Sequence, residues 1–164
     1  RAKFRYNIIS EEIQNIVAAS VVTVRTDVAK LVVERNRRVI QSVSKALGEN
    51  QEEFMHIAGG PATLTIILDG IVASKVKELF RTEEVLDERK NLAAIIVHSP
   101  PDIIFTPGCA ITFYNQVSRK HVNIDDTSSC HTDTIIVVSM DDVGSAFAAL
   151  SELIAASRRP KRGK

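Results

Sequence analysis

The stretch Leu92-Ala93-Ala94-Ile95-Ile96-Val97 decides the fold, because it is almost wholly apolar and is bounded by turn-forming residues. A short apolar run of this kind predicts a strand in the interior of a sheet. A proline-rich loop follows over residues 98–108, and apolar residues then recur at helical spacing from Cys109 to Lys120. The order strand, loop, helix is therefore predicted here.

Outward from this stretch, the C-terminal half continues with two more strands and a helix. Val122–Ser129 and Thr134–Val138 are predicted strands, separated by a turn over residues 130–133. Asp141-Asp142 then precede an amphipathic pattern, which predicts a capped helix.

The first half predicts the same order of elements. A first helix should begin at Ser10, whose hydroxyl can cap it. The repeated order follows this helix. It consists of the strand Val21–Val24, the helix Val28–Leu47, the strands Phe54–Ala58 and Leu64–Leu68, and a helix from Asp69. The long helix is predicted from apolar spacings of three, four and seven. The segments Thr63–Leu68 and Thr132–Val137 are the most alike.

This order predicts an α+β fold with two ferredoxin-like βαββαβ units, each an antiparallel sheet with helices on one face. Val85–Arg89 can supply a fourth strand to the first unit. No β-branched run follows Ile154, so the second unit is expected to lack its fourth strand. Because open sheet edges are usually covered, we expect dimerisation or exchange between the halves.

The second half resembles the ACT family of regulatory domains. The resemblance lies in a strand followed by Thr106-Pro107-Gly108 and a helix, in the strand entry Asn123-Ile124-Asp125, and in the last helix from Asp142 to Leu153, as in aspartokinase regulatory modules. It implies a small, stand-alone, archaeal-type regulator that forms a homodimer, has no catalytic activity and needs no cofactor.

The expected domains, as residue ranges, are a basic helical extension (1–20), a degenerate ACT-like unit (21–90), an ACT domain (91–156) and a disordered basic tail (157–164).

The resemblance also implies an effector site, commonly for an amino acid. The expected ligand-binding residues are Thr106, Pro107, Gly108, Cys109, Asn123, Ile124 and Asp125. Gly108 would let the backbone approach a ligand, and the helix start after it would bind a carboxylate. Asn123 or Asp125, across the sheet or from a partner subunit, would accept from an α-amino group. The same residues are also compatible with an ordinary loop and a solvated edge strand.

Charge is unevenly distributed, although the chain as a whole has a net charge of +1. Five basic residues and no acidic one lie in the last seven: Arg158, Arg159, Lys161, Arg162 and Lys164. This tail could bind RNA, DNA or a ribonucleoprotein, which is the alternative function, or only increase solubility. The chain contains no secretory signal and no apolar run long enough for a bilayer, so a cytoplasmic protein without a membrane partner is expected.

Metal binding and catalysis are not favoured by the sequence. Cys130 and His131 are adjacent and would point to opposite faces of a strand, and no Cys-x-x-Cys pair occurs. Cys109 should lie at a helix N-terminus, where its thiol pKa would be lowered, but no orienting group for a Cys–His pair is implied by the spacing. No metal ligands and no catalytic residues are therefore assigned.

Overall fold

The computed structural model describes residues 10–159, so the predictions for Lys161, Arg162 and Lys164 lie outside the described residues. The helices are α1 Glu11–Ala19, α2 Arg37–Glu49, α3 Gly70–Lys77, α4 Cys109–Ser118 and α5 Val143–Ser157. The strands are β1 Val21–Glu34, β2 Met55–Gly59, β3 Thr63–Asp69, β4 Val85–His98, β5 Ile124–Cys130 and β6 Asp133–Ser139. Short 3-10 helices cover Thr82–Glu84 and Pro101–Phe105.

The predicted α+β class is confirmed. The strands hydrogen-bond in the order β2-β3-β1-β4-β6-β5, with antiparallel pairs β1–β3, β2–β3 and β5–β6. The chain divides into two compact units. The inserted unit is Arg25–Ala94, and the outer unit contains the described residues 10–24 and 95–159. The long strands β1 and β4 contribute residues to both units.

The inserted unit has the strand order β2-β3-β1-β4 and the helices α2 and α3. This is the ferredoxin-like order. Alternate residues Ala29, Leu31 and Val33 of β1 are buried, and Leu31 lies opposite Ile66 of β3. Val39 and Val43 of α2 and Val72 and Val76 of α3 complete the same core. One face of this sheet is therefore packed against the helices.

The outer unit has the strand order β1-β4-β6-β5, in which Val21–Val24 is the fourth strand. The prediction that this unit lacks a fourth strand is therefore wrong. The strand does not follow Ile154 but comes from the start of the chain, in a segment that local patterns assign to the other half. The core residues from one sheet face and from α1, α4 and α5 are Val17, Ile95, Val97, Phe113, Val117, Ile136, Val138, Ala146, Leu150 and Ile154.

The predicted helix Val28–Leu47 is wrong over its first part, since β1 continues to Glu34 and α2 begins only at Arg37, whereas residues 37–47 are helical as predicted. Asn36 is the true cap, and its side-chain oxygen accepts from the backbone N–H of Val39 at 2.8 Å. The apolar residues before Glu34 satisfy both a helical period and a period of two. Pairing of β1 with β3, which burial stabilises, decides for the strand.

The other predicted elements are confirmed within a few residues. Ser10 caps α1 through a bond from the N–H of Ile13 at 3.3 Å. The predicted strands Val85–Arg89 and Leu92–Val97 are parts of one strand, β4. No helix among residues 10–159 is both long and apolar enough to cross a membrane.

Candidate functional site

Gly108 is the N-cap residue of α4 and has a φ of +94°. Residues that have a side chain rarely adopt this backbone conformation. A Cβ added there would also lie 3.2 Å from Cδ1 of Ile13, a residue of α1. The carbonyl of Gly108 accepts from the N–H of Thr112 at 3.1 Å and from its hydroxyl at 2.7 Å. The turn into α4 therefore requires glycine.

Thr106 and Pro107 form the last part of the loop before this turn. The Thr106 hydroxyl donates to the carbonyl of Asp102 at 3.0 Å and so closes the 3-10 helix Pro101–Phe105. Its oxygen can still accept a bond from a ligand, but its hydrogen is engaged. Pro107 is exposed.

Cys109 is the first residue of α4 and is only 1% exposed. Burial raises the pKa of its thiol, so the predicted lowering is wrong. The loss of hydration of a thiolate in this apolar site outweighs the field of the helix N-terminus. Burial and the raised pKa both disfavour the reactive thiolate form of Cys109.

A cavity of about 330 Å³ lies between this loop and the hairpin of β5 and β6. From the loop and α4 it is lined by Ile103, Ile104, Thr106, Gly108, Cys109 and Ala110. From the hairpin it is lined by Ser129, His131, Asp133 and Thr134. The predicted loop residues, apart from Pro107, thus share one cavity.

The predicted residues Asn123, Ile124 and Asp125 do not line this cavity. Asn123 is exposed just before β5, and Ile124 packs against the core of the outer unit. The cavity touches β5 at Ser129, five residues further along. At about 3.3 Å per residue the separation is about 16 Å. Within one chain, the two halves of the predicted site are therefore apart.

A row of polar side chains on β1, β4 and β6 was not predicted. Nδ1 of His98 lies 2.8 Å from Oδ1 of Asp133, and Nε2 of His98 lies 2.8 Å from Oγ1 of Thr23. His98 and Asp133 are each at the end of an apolar strand, which is the signal that could have indicated them. Their proximity depends on the strand order, which the local sequence does not contain.

Hydroxyl, imidazole and carboxylate are connected here as in a hydrolase triad. The residues lining the cavity include Asp133 but not Thr23. The arrangement therefore presents the carboxylate end of the row to the cavity, and not the hydroxyl that would be a nucleophile. This geometry is suited to binding a cation.

A second cavity of about 550 Å³ lies on the α1 side of the same loop. It is lined by Glu12, Asn15, Ile16, Ala19, Pro100, Asp102, Phe105 and Thr106. Phe105 is 84% exposed. Thr106 is common to both cavities, so this loop separates them.

Two further observations concern the remaining predicted sites. Arg158, assigned to the basic tail, donates to the carbonyls of Ala18 at 2.7 Å and Ser20 at 3.2 Å, and thereby satisfies the C-terminal end of α1. Arg159 is exposed. Among the described residues, no group of three or more His, Cys, Asp or Glu side chains is placed to hold a metal ion.

Comparison with known proteins finds similarity only at the level of structure. No protein-family profile and no curated protein sequence matches the chain. The regulatory subunit of aspartate kinase from Thermus thermophilus, in its ligand-free form, has a TM-score of 0.66 at 14% identity, covering 82% of this chain and 98% of that one.

Complete aspartate kinases are also similar. The enzyme from Synechocystis has a TM-score of 0.68 at 18% identity, covering 90% of this chain and 28% of that one. The enzyme from Clostridium acetobutylicum has a TM-score of 0.66 at 13% identity, covering 81% of this chain and 34% of that one. The chain thus spans about a third of the Clostridium enzyme. At these identities the similarity establishes the fold: the chain shares the ACT-type fold of aspartate kinase regulatory domains.

Proposed function

We propose that this chain is a non-catalytic regulatory module that binds a small effector, an amino acid, in the cavity between the Thr106–Cys109 loop and the β5–β6 hairpin. The observation that carries the proposal is this cavity, whose volume of about 330 Å³ is at the lower end for ligand pockets. The shared fold with a protein named as a regulatory subunit supports it.

The start of α4 can bind the carboxylate of such an effector. The first N–H groups of a helix have no partner within the helix, and no side chain caps α4. These donors and the helix dipole attract an anion. Gly108 itself adds no side chain beside these donors, and the atom nearest to the position of a Cβ there is Cδ1 of Ile13.

A second copy of the chain would complete the site. Strand β5 is at the edge of the described sheet, where another strand can pair. If β5 of a second copy pairs antiparallel and is centred on Thr127, its Asn123–Asp125 comes opposite residues 129–131. Ser129 and His131 line the cavity. The predicted role of Asn123–Asp125 would then be fulfilled by the partner subunit, and ligand binding would bias the association of two chains.

Thermal shift against each of the twenty amino acids tests the proposal. A ligand at one hundred times its Kd adds about 2.7 kcal/mol to the free energy of unfolding. For a chain of this size that corresponds to an increase in Tm of roughly 5–10 °C. If no amino acid raises Tm at millimolar concentration, the proposal is wrong.

Two alanines provide a matched pair of variants. Ala110 lines the cavity, whereas Ala148 is exposed on α5. Ala110→Leu should abolish the ligand-induced shift by filling the cavity, and Ala148→Leu should retain it. Light scattering should detect dimers whose fraction increases with the ligand. A monomer at all ligand concentrations would contradict the shared site.

A further inference from the structure

Asp133 is the first residue of β6 and the only carboxylate among the residues that line the loop cavity. Its side chain is 36% exposed. Oδ1 accepts from Nδ1 of His98 at 2.8 Å, and no described residue donates to Oδ2. No Lys or Arg lines the cavity. One carboxylate oxygen of Asp133 therefore remains available to a ligand. His131 is the only basic residue among those that line the cavity.

His98 holds this carboxylate in position from the neighbouring strand. Its Nε2 bonds the hydroxyl of Thr23 on β1 at 2.8 Å, so both ring nitrogens are engaged. In either protonation state of the ring, Nδ1–H can donate to Asp133, because the Thr23 hydroxyl can donate or accept at Nε2. The hydrogen bonds from Thr23 through His98 to Asp133 fix the rotamer of Asp133. The conformational entropy of this side chain is therefore lost on folding and not on ligand binding.

We infer that Asp133 binds the ammonium group of the effector and determines specificity for it, with His98 and Thr23 as positioning residues. This inference rests on the proposed function of the cavity. A fixed carboxylate that has no Lys or Arg partner gains a charge-assisted hydrogen bond from an ammonium group. A ligand with a hydroxyl in its place loses the charge, and one with a keto group also loses the donor.

The experiment compares an amino acid with its 2-hydroxy acid. The probe is the amino acid that gives the largest thermal shift, and its Kd and that of the 2-hydroxy acid are measured by calorimetry on the full chain. The wild type should bind the amino acid at least about tenfold more tightly, as expected for one charged hydrogen bond. Asp133→Asn should reduce that preference to about twofold or less while the Kd for the hydroxy acid hardly changes.

The positioning residues and a control make the test specific. His98→Ala should weaken amino-acid binding and leave the hydroxy acid unaffected, whereas a merely structural role would weaken both. Asp141→Asn, at an exposed carboxylate in the turn beyond β6, should change neither Kd. Asp133→Asn retains an acceptor oxygen for His98. If it does not fold, Asp133→Ser is judged by the same criterion.

The outcomes separate this inference from the proposed function. If the wild type binds an amino acid and Asp133→Asn keeps the full preference over the hydroxy acid, the assignment of Asp133 is overturned and the effector site stands. If the wild type binds no amino acid, both are overturned.

Discussion

Replacing Gly108 by alanine should destabilise the chain through a backbone conformation that only glycine adopts without strain. Gly108 has φ +94° and ψ −6°, and a left-handed conformation costs an L-residue about 1–2 kcal/mol. The added Cβ would lie 3.2 Å from Cδ1 of Ile13, the end of a flexible side chain that can move to relieve the contact. The lower entropy of alanine in the unfolded chain returns about 0.4–1 kcal/mol. The net loss is about 1 kcal/mol.

Urea unfolding followed by circular dichroism measures this loss, and Gly144→Ala is the control. Gly144 is in the first turn of α5, and a Cβ there would meet nothing within 4 Å. The control should stabilise the chain by roughly 0.5 kcal/mol through helix propensity. The free energies of unfolding of the two variants should therefore differ by about 1.5 kcal/mol, with Gly108→Ala below the wild type and Gly144→Ala above it. If Gly108→Ala is as stable as the wild type, the reasoning on this turn is wrong.

Three further predictions concern charge, thiols and the tail. Hydrogen bonds from Arg25 lower the pKa of Asp69. Asp69→Asn should therefore reduce the free energy of unfolding by about 0.5–1 kcal/mol above about pH 4, after screening by solvent. This difference from the wild type should vanish as pH falls through the lowered pKa. Urea melts at pH 7 and pH 2.5 test this. A thiol reagent should modify exposed Cys130 quickly and buried Cys109 only on unfolding, and Cys130→Ser should remove the fast phase. Arg158→Ala should cost about 1 kcal/mol, and removal of the last five residues should abolish any salt-sensitive RNA binding through the basic tail. RNA binding that survives this removal would exclude the tail as its site.

Several elements were predictable because the local sequence specifies them. The run of apolar and β-branched residues that makes Leu64–Leu68 and Thr134–Val138 strands is a property of a few adjacent residues, and so is the hydroxyl cap at Ser10. Gly108 before a helical pattern likewise indicated the turn into α4. Such signals depend on neighbours in the chain, so the sequence contains them.

Other elements depend on pairing between distant residues. The segment Val28–Val33 fits a helix as well as a strand by its apolar spacing, and only its pairing with β3 makes it extended. The site shows the same limit. The loop residues were predictable from Pro107-Gly108, but Asp133 and His98 become neighbours only because β4 and β6 are adjacent in the sheet.

The sequence by itself determined the α+β class, the order of most elements and the loop that forms one wall of the cavity, because short-range periodicity and turn chemistry decide these. Only the tertiary structure decided that Val21–Val24 completes the outer unit and that Asp133, and not Asp125, lines the cavity within one chain. Both depend on which strands lie side by side, and hydrogen bonding and burial between residues far apart in the chain determine that.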